Sequence, residues 1–353
     1  MVKRQQAENI IAANQQSLRS LERAITFSKN QFSVILLCCN YEFLRDIIRQ
    51  QLAVNGWGNE RIQSITLAQN ATSLYTTIQS QLTINQPAGL MIMGFESINE
   101  IDDLLRSINQ VRDEFRKRYQ IPMIFWVNDE VLQKILRLAP DFASWAATPI
   151  RFEMTSIGLL EFLHQETDDL FTRVLQSNYA QGNPVTLEQV WISSDQLHYA
   201  IKELYDRGIE IEAELNAKLE FIFGIDDYVN NRIDSALNNF QKSLRFWHHQ
   251  ENLGVTEYAT DRTAELSDSS YADLLKRSIL LFYIGLCCCR LAEQNPKSRE
   301  RYWQSAKTYF QQCLQTFEIA GRIDLVSEFI EQLLEVLYSL KSWAVLKLSL
   351  KNP

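Results

Sequence analysis

The chain has 353 residues, 46% of them hydrophobic and 22% charged, with a formal net charge of −8. That length suits two domains of roughly 100–200 residues each, and the composition excludes disorder over most of the chain and a design built on Gly/Pro linkers. The acidic balance, 35 Lys and Arg against 43 Asp and Glu, argues against a protein whose main business is coating nucleic acid or an anionic membrane. The charge is uneven. Residues 1–150 hold 15 basic and 14 acidic side chains, and residues 151–353 hold 20 and 29. The acidic excess therefore belongs to the second half.

In chain order, residues 3–28 read as one helix, with Ile10, Ile11, Ala13, Leu18, Leu21 and Ile25 at helical spacing. Its polar face is rich in Gln, Asn and Ser rather than basic, so residues 1–30 are expected to pack on the next domain and not on a membrane. No apolar core follows Lys3 and Arg4, so no secretory signal is read. No stretch reaches the roughly 18–20 apolar residues of a membrane span, and the expectation is a cytoplasmic protein. Phe32–Cys39 is then a short apolar run of the kind buried on both faces of a sheet. Phe43–Val54 reads as a helix, Gln63–Leu67 as a strand, Thr72–Leu82 as a helix and Ala88–Gly94 as a buried strand. Asn99–Tyr119 follows as one long charged helix, Pro122–Val127 as a buried strand, Glu130–Leu138 as a helix and Pro149–Phe152 as a last strand. Strand and helix alternating at this rhythm give a parallel α/β sheet covered by helices over residues 31–155.

After residue 155 the periodicity is helical to the end. Ser156–Asn178 is a helix, Tyr179–Pro184 is the linker candidate, and residues 156–215 form a helical connector. The polar segments Gly254–Ser270 and Gln294–Arg299 interrupt an otherwise all-α region. Within residues 216–353 an order of residues recurs. Phe223-Gly224 is followed by Tyr228, Ala236, Phe240 and Ser243; Ile284-Gly285 is followed by Cys288, Ala306, Phe310 and Cys313. The second copy carries about nine extra residues around Gln294–Arg301, and a third, weaker copy would use Leu333–Tyr338, Trp343, Ala344 and Leu348. Small residues placed this way let antiparallel helices approach closely while an aromatic ring fills the space between them.

This order resembles the tetratricopeptide repeat, although Tyr228 stands one place late and Glu220 occupies the usual Trp position. The resemblance implies a concave groove that holds a protein segment. By repeat position its lining is Lys218, Phe221, Ile225 and Tyr228 in the first copy and Phe282, Cys289 and Arg290 in the second. Lys218 and Arg290 would there clamp a carboxylate; the ordinary reading of such charges is a solvated helix face. The acidic loop Thr256–Ser270 reads as a tolerated insertion.

A parallel α/β domain invites a nucleotide, and the first half resembles the P-loop ATPase modules that bacterial multidomain proteins fuse to such arrays. The resemblance covers about residues 30–155, and its most specific part is Ala139–Trp145. The phosphate loop itself is missing. There is no Gly before residue 56 and no Lys between Lys29 and Lys117, and Glu42 stands where phosphate would sit. The G-x-G-x-x-G of dinucleotide folds is absent as well. Gly94 occupies the place of the metal-holding acid, with Glu96 offset from it, and Asn128-Asp129 ends the Pro122–Val127 strand where such ATPases carry a polar sensor. Glu96, Asn128 and Asp129 are thus vestigial nucleotide-site candidates, with a loop residue and a helix cap with first-turn acids as their ordinary readings. A receiver-like reading fails because Cys38-Cys39-Asn40 and Gly94 stand where its acids are needed.

No other chemistry is assembled. The four histidines lack metal spacing, the six cysteines form no C-x-x-C, and no Gly-x-Ser-x-Gly elbow occurs. Arg112, Arg116, Lys117 and Arg118 interleave with acids as a solvated face. The expectation is a degenerate P-loop NTPase-like α/β domain followed by a tetratricopeptide-like helical domain. It acts as a non-catalytic adaptor or scaffold that binds a protein partner, with no catalytic residue, metal or cofactor. The alternatives are a nucleotide-binding ATPase or GTPase with an atypical loop, and a structural subunit of a larger assembly.

Overall fold

The computed structural model describes residues 2–57, 62–82, 87–176, 194–254 and 268–351. The chain divides into two compact units, Met1–Leu159 and Leu160–Pro353.

The first unit opens with α1 (Val2–Ala13) and α2 (Gln15–Phe27). The single helix read over 3–28 is broken at Asn14, which has non-helical dihedrals. The cause is tertiary. The buried Asn14 amide donates to the Glu153 carbonyl at 2.8 Å, and its Oδ1 accepts the Glu153 N–H at 2.9 Å. Helical propensity alone gives no hint of such a bond across 139 residues. The same unit continues as β1 (Ser33–Cys38), α3 (Glu42–Leu52), β2 (Ile62–Thr66), α4 (Leu74–Gln81) and β3 (Gly89–Met93). It ends with α5 (Ile101–Gln110), α6 (Arg112–Arg118), β4 (Pro122–Val127), α7 (Asp129–Leu138), α8 (Pro140–Ala143) and β5 (Ile150–Arg151). The long helix expected over Asn99–Tyr119 turns at Val111. That turn buries Phe115 against Tyr75 and Phe142.

The five strands form one parallel sheet in the order β2-β3-β4-β1-β5. β1 and β4 run side by side from Ser33 against Pro122 to Cys38 against Val127. All six residues of β4 are buried, as a central strand covered on both faces requires. Phe95, Phe125, Phe142 and Phe115 stack edge to face and tilted in the core on one side.

α9 (Ser156–Gln176) crosses the boundary between the units, and the linker candidate Tyr179–Pro184 lies outside the described residues. The second unit continues as α10 (Ser194–Asp206), α11 (Ala213–Val229), α12 (Ile233–Gly254), α13 (Asp268–Gln294), α14 (Arg299–Ile319) and α15 (Ile323–Lys351). Most of the Thr256–Ser270 loop lies outside the described residues; its last three residues open α13. From α11 onward each helix packs on the next.

Two helix pairs repeat one packing device. In α11–α12, a Cβ on Gly224 would stand 2.5 Å from the Phe240 ring; in α13–α14, a Cβ on Gly285 would stand 2.5 Å from the Phe310 ring. Phe221 lies 5.8 Å from Phe240 at 50°, and Phe282 lies 5.6 Å from Phe310 at 50°. Ala236 and Ala306 are fully buried at matching places. A turn motif recurs at a different junction: left-handed Asn231 between α11 and α12 and left-handed Gly321 between α14 and α15 each precede Arg-Ile-Asp. The third copy is different: Leu333–Tyr338 and Trp343–Leu348 belong to the one continuous helix α15. No Gly or Pro separates them, so nothing stops the helix.

In a helix interior Gly→Ala ordinarily stabilises by roughly 0.5–1 kcal/mol. Here contact with Phe240 and Phe310 reverses the sign. Gly224→Ala and Gly285→Ala should each destabilise the helical unit by about 1–3 kcal/mol, read as a lower urea midpoint. Pairing Gly224→Ala with Phe240→Leu should recover part of that loss.

Candidate functional site

In an open parallel sheet, ligands bind outside the carboxyl ends of the strands where the strand order reverses. Here the chain leaves β1 for the far edge strand β2 and leaves β4 for β5 on the other side of β1. The crevice belongs between the ends of β1 and β4, among Cys39–Arg45 and Asn128–Asp129.

The turn after β1 is only Cys39-Asn40-Tyr41 before α3 begins. The Cys39 N–H extends the strand pairing to the Val127 carbonyl at 2.9 Å. Tyr41 is buried, with 1% of its surface exposed. Arg45, one turn into α3 and also buried, folds back over this turn. Its Nε and Nη2 donate to the Cys39 carbonyl at 3.1 and 2.7 Å, and its Nη1 pairs with Glu96. Glu96 is delivered there by Gly94. That residue is left-handed (φ 87°), and a Cβ on it would come within 3.0 Å of the Leu67 carbonyl, so the bend after β3 needs Gly.

On the β4 side two first-turn amides of α7 are occupied. The Asn128 side chain accepts the Val131 N–H at 2.8 Å. Asn40 accepts the Asp129 N–H at 3.0 Å and donates back to Asp129 Oδ2 at 2.9 Å. Arg151 at the end of β5 donates to Asp129 Oδ1 at 2.6 Å, and the Cys38 thiol donates to the same oxygen at 3.3 Å. The buried polar side-chain atoms of this cluster are all partnered. A helix N-terminus is an anion site only while its N–H groups are free, and two of those on α7 are bonded to Asn40 and Asn128.

Burial raises the Asp129 carboxyl, but bonds from Asn40, Arg151 and Cys38 outweigh it and hold the group below its ordinary value. Burial, helped by the Asp129 charge, pushes the Cys38 thiol up to about 12. It stays protonated and is no nucleophile. The three candidates therefore sit at the carboxyl ends of β3 and β4 as parts of internal bonding. Asn128 is a helix cap, Asp129 a hub, and Glu96 the partner of Arg45. Arg45, Arg151 and Asn40 carry no motif in the sequence; Arg45 reaches Glu96 51 residues on, Asn40 reaches Asp129 89 residues on, and Arg151 reaches back 22 residues to Asp129, so no local pattern marks them.

The groove candidates separate. Phe221 is core, stacked on Phe171 at 4.4 Å, and Phe282 is core against Phe329 at 4.5 Å. Ile225 is buried as well. Lys218 is enclosed, its ammonium held by Asp168 at 2.8 Å and Glu214 at 2.9 Å. These four lie inside the helical unit because α11 packs on more than one side, which the repeat position does not reveal. Tyr228 and Cys289 are half-buried and Arg290 is exposed; the Tyr228 hydroxyl beside it raises the Arg290 guanidinium above its ordinary value. Among the described residues no group of three or more His, Cys, Asp or Glu is placed to hold a metal, and no helix is long and apolar enough to cross a membrane.

No family model matches the chain, and no curated protein matches it. Among solved structures it is similar to a chain of Drosophila ORC bound to DNA, at 11% identity and a TM-score of 0.33, over 98% of this chain and 66% of that one. A structure of Drosophila ORC bound to AT-rich DNA matches at 12% identity and a TM-score of 0.27, over 95% of this chain and 65% of that one. The chain thus spans just under two thirds of the chains it matches, and at these values the likeness carries no argument about fold or function.

Arg45→Met leaves the Cys39 carbonyl and Glu96 without their partner. It should destabilise the α/β unit by about 3 kcal/mol in urea denaturation, with Arg45→Lys recovering only part because an ammonium lacks the fork. The depressed Asp129 value stabilises the fold fully above the ordinary aspartate value of 3.8, and this is lost as the pH falls through the folded value. The stability gap between the wild type and Asp129→Asn should therefore shrink from about pH 5 towards pH 2.

Proposed function

We propose that this chain is a non-catalytic interaction protein: a P-loop ATPase-like α/β unit that no longer takes a phosphate, joined to a tetratricopeptide-like helical array that binds another protein. The observation that carries the first part is the filled turn after β1, where Tyr41 and Arg45 occupy the place a phosphate loop would leave open. The strand order β2-β3-β4-β1-β5 supports the ATPase-like architecture, since it has β1 between β4 and β5 as those modules do and differs from the two common doubly wound orders. The array reading is supported by the repeated Gly–Phe contact in α11–α12 and α13–α14. Arg290 with Tyr228 is the part of the expected groove that remains accessible, and an exposed guanidinium there suits an acidic group on the partner.

Titration calorimetry with Mg-ATP and Mg-GTP tests the first part. The expected result is no binding heat. A micromolar Kd that disappears on Glu96→Ala or Asn128→Ala would favour the nucleotide-binding reading instead. For the array, Arg290→Glu should weaken capture of a partner from the native cell extract, while the folded helical content stays unchanged.

A further inference from the structure

We draw no further inference here: the strongest candidate, the open apolar face of α15 at Ile323, Ile330, Leu334 and Tyr338, carries nothing because nothing in the structure shows what covers it.

Discussion

Arg45 reaches back over the turn that follows β1 and gives two N–H groups to the Cys39 carbonyl while pairing with Glu96. A phosphate-binding turn works by the opposite arrangement, with backbone amides pointing into open space and glycines that leave room for an anion. Here the cation is internal, fixed by a carbonyl and a carboxylate, and Tyr41 fills the space beside it. Glu96 neutralises this arginine. Gly94 makes that possible by bending the chain sharply after β3. The other wall of the crevice follows the same logic, since Asn40 bonds both the backbone and the carboxylate of Asp129 and so ties the end of β1 to the start of α7. The turn after β1 is thereby tied to α3, to the bend after β3 and to the start of α7.

The helical unit rests on a constraint of a different kind, the close approach of helices at Gly224 and Gly285. Neither position has room for a methyl group beside its phenylalanine. The two contacts share their ring angle and nearly share their ring distance, although the second pair carries a longer hairpin. Polar fixation is added at the first turn, where buried Asp227 binds Arg232 at 2.6 Å and Asn239 at 3.0 Å.

Much of this was legible in the sequence, for physical reasons. β1, β3 and β4 are covered on both faces, so they stand out as unbroken apolar runs such as Ile124–Val127. That no Gly-rich loop with its Lys follows β1 is read from the sequence directly, because such a loop needs those residues at fixed places. The Gly…Ala…Phe order was legible because close packing restricts those positions to few residue types. The breaks at Asn14 and Val111 were not, since each is set by contacts made far along the chain. Nor were Arg45, Arg151 and Asn40, each an ordinary polar residue until the fold supplies its partner. Lys218 shows the limit of reasoning by repeat position: a lysine assigned to a groove is enclosed by Asp168 and Glu214. The continuous α15 shows the same limit, because an apolar spacing that fits two helices also fits one.

Whether a phosphate can enter is decided by whether the end of β1 is closed by the protein itself. Hydrogen exchange of the backbone amides of residues 39–45, followed with and without saturating Mg-ATP, tests this most directly. Closure by Tyr41, Arg45 and Asn40 predicts that exchange over these residues is the same in both conditions. Added protection confined to residues 39–45 in the presence of nucleotide would contradict it.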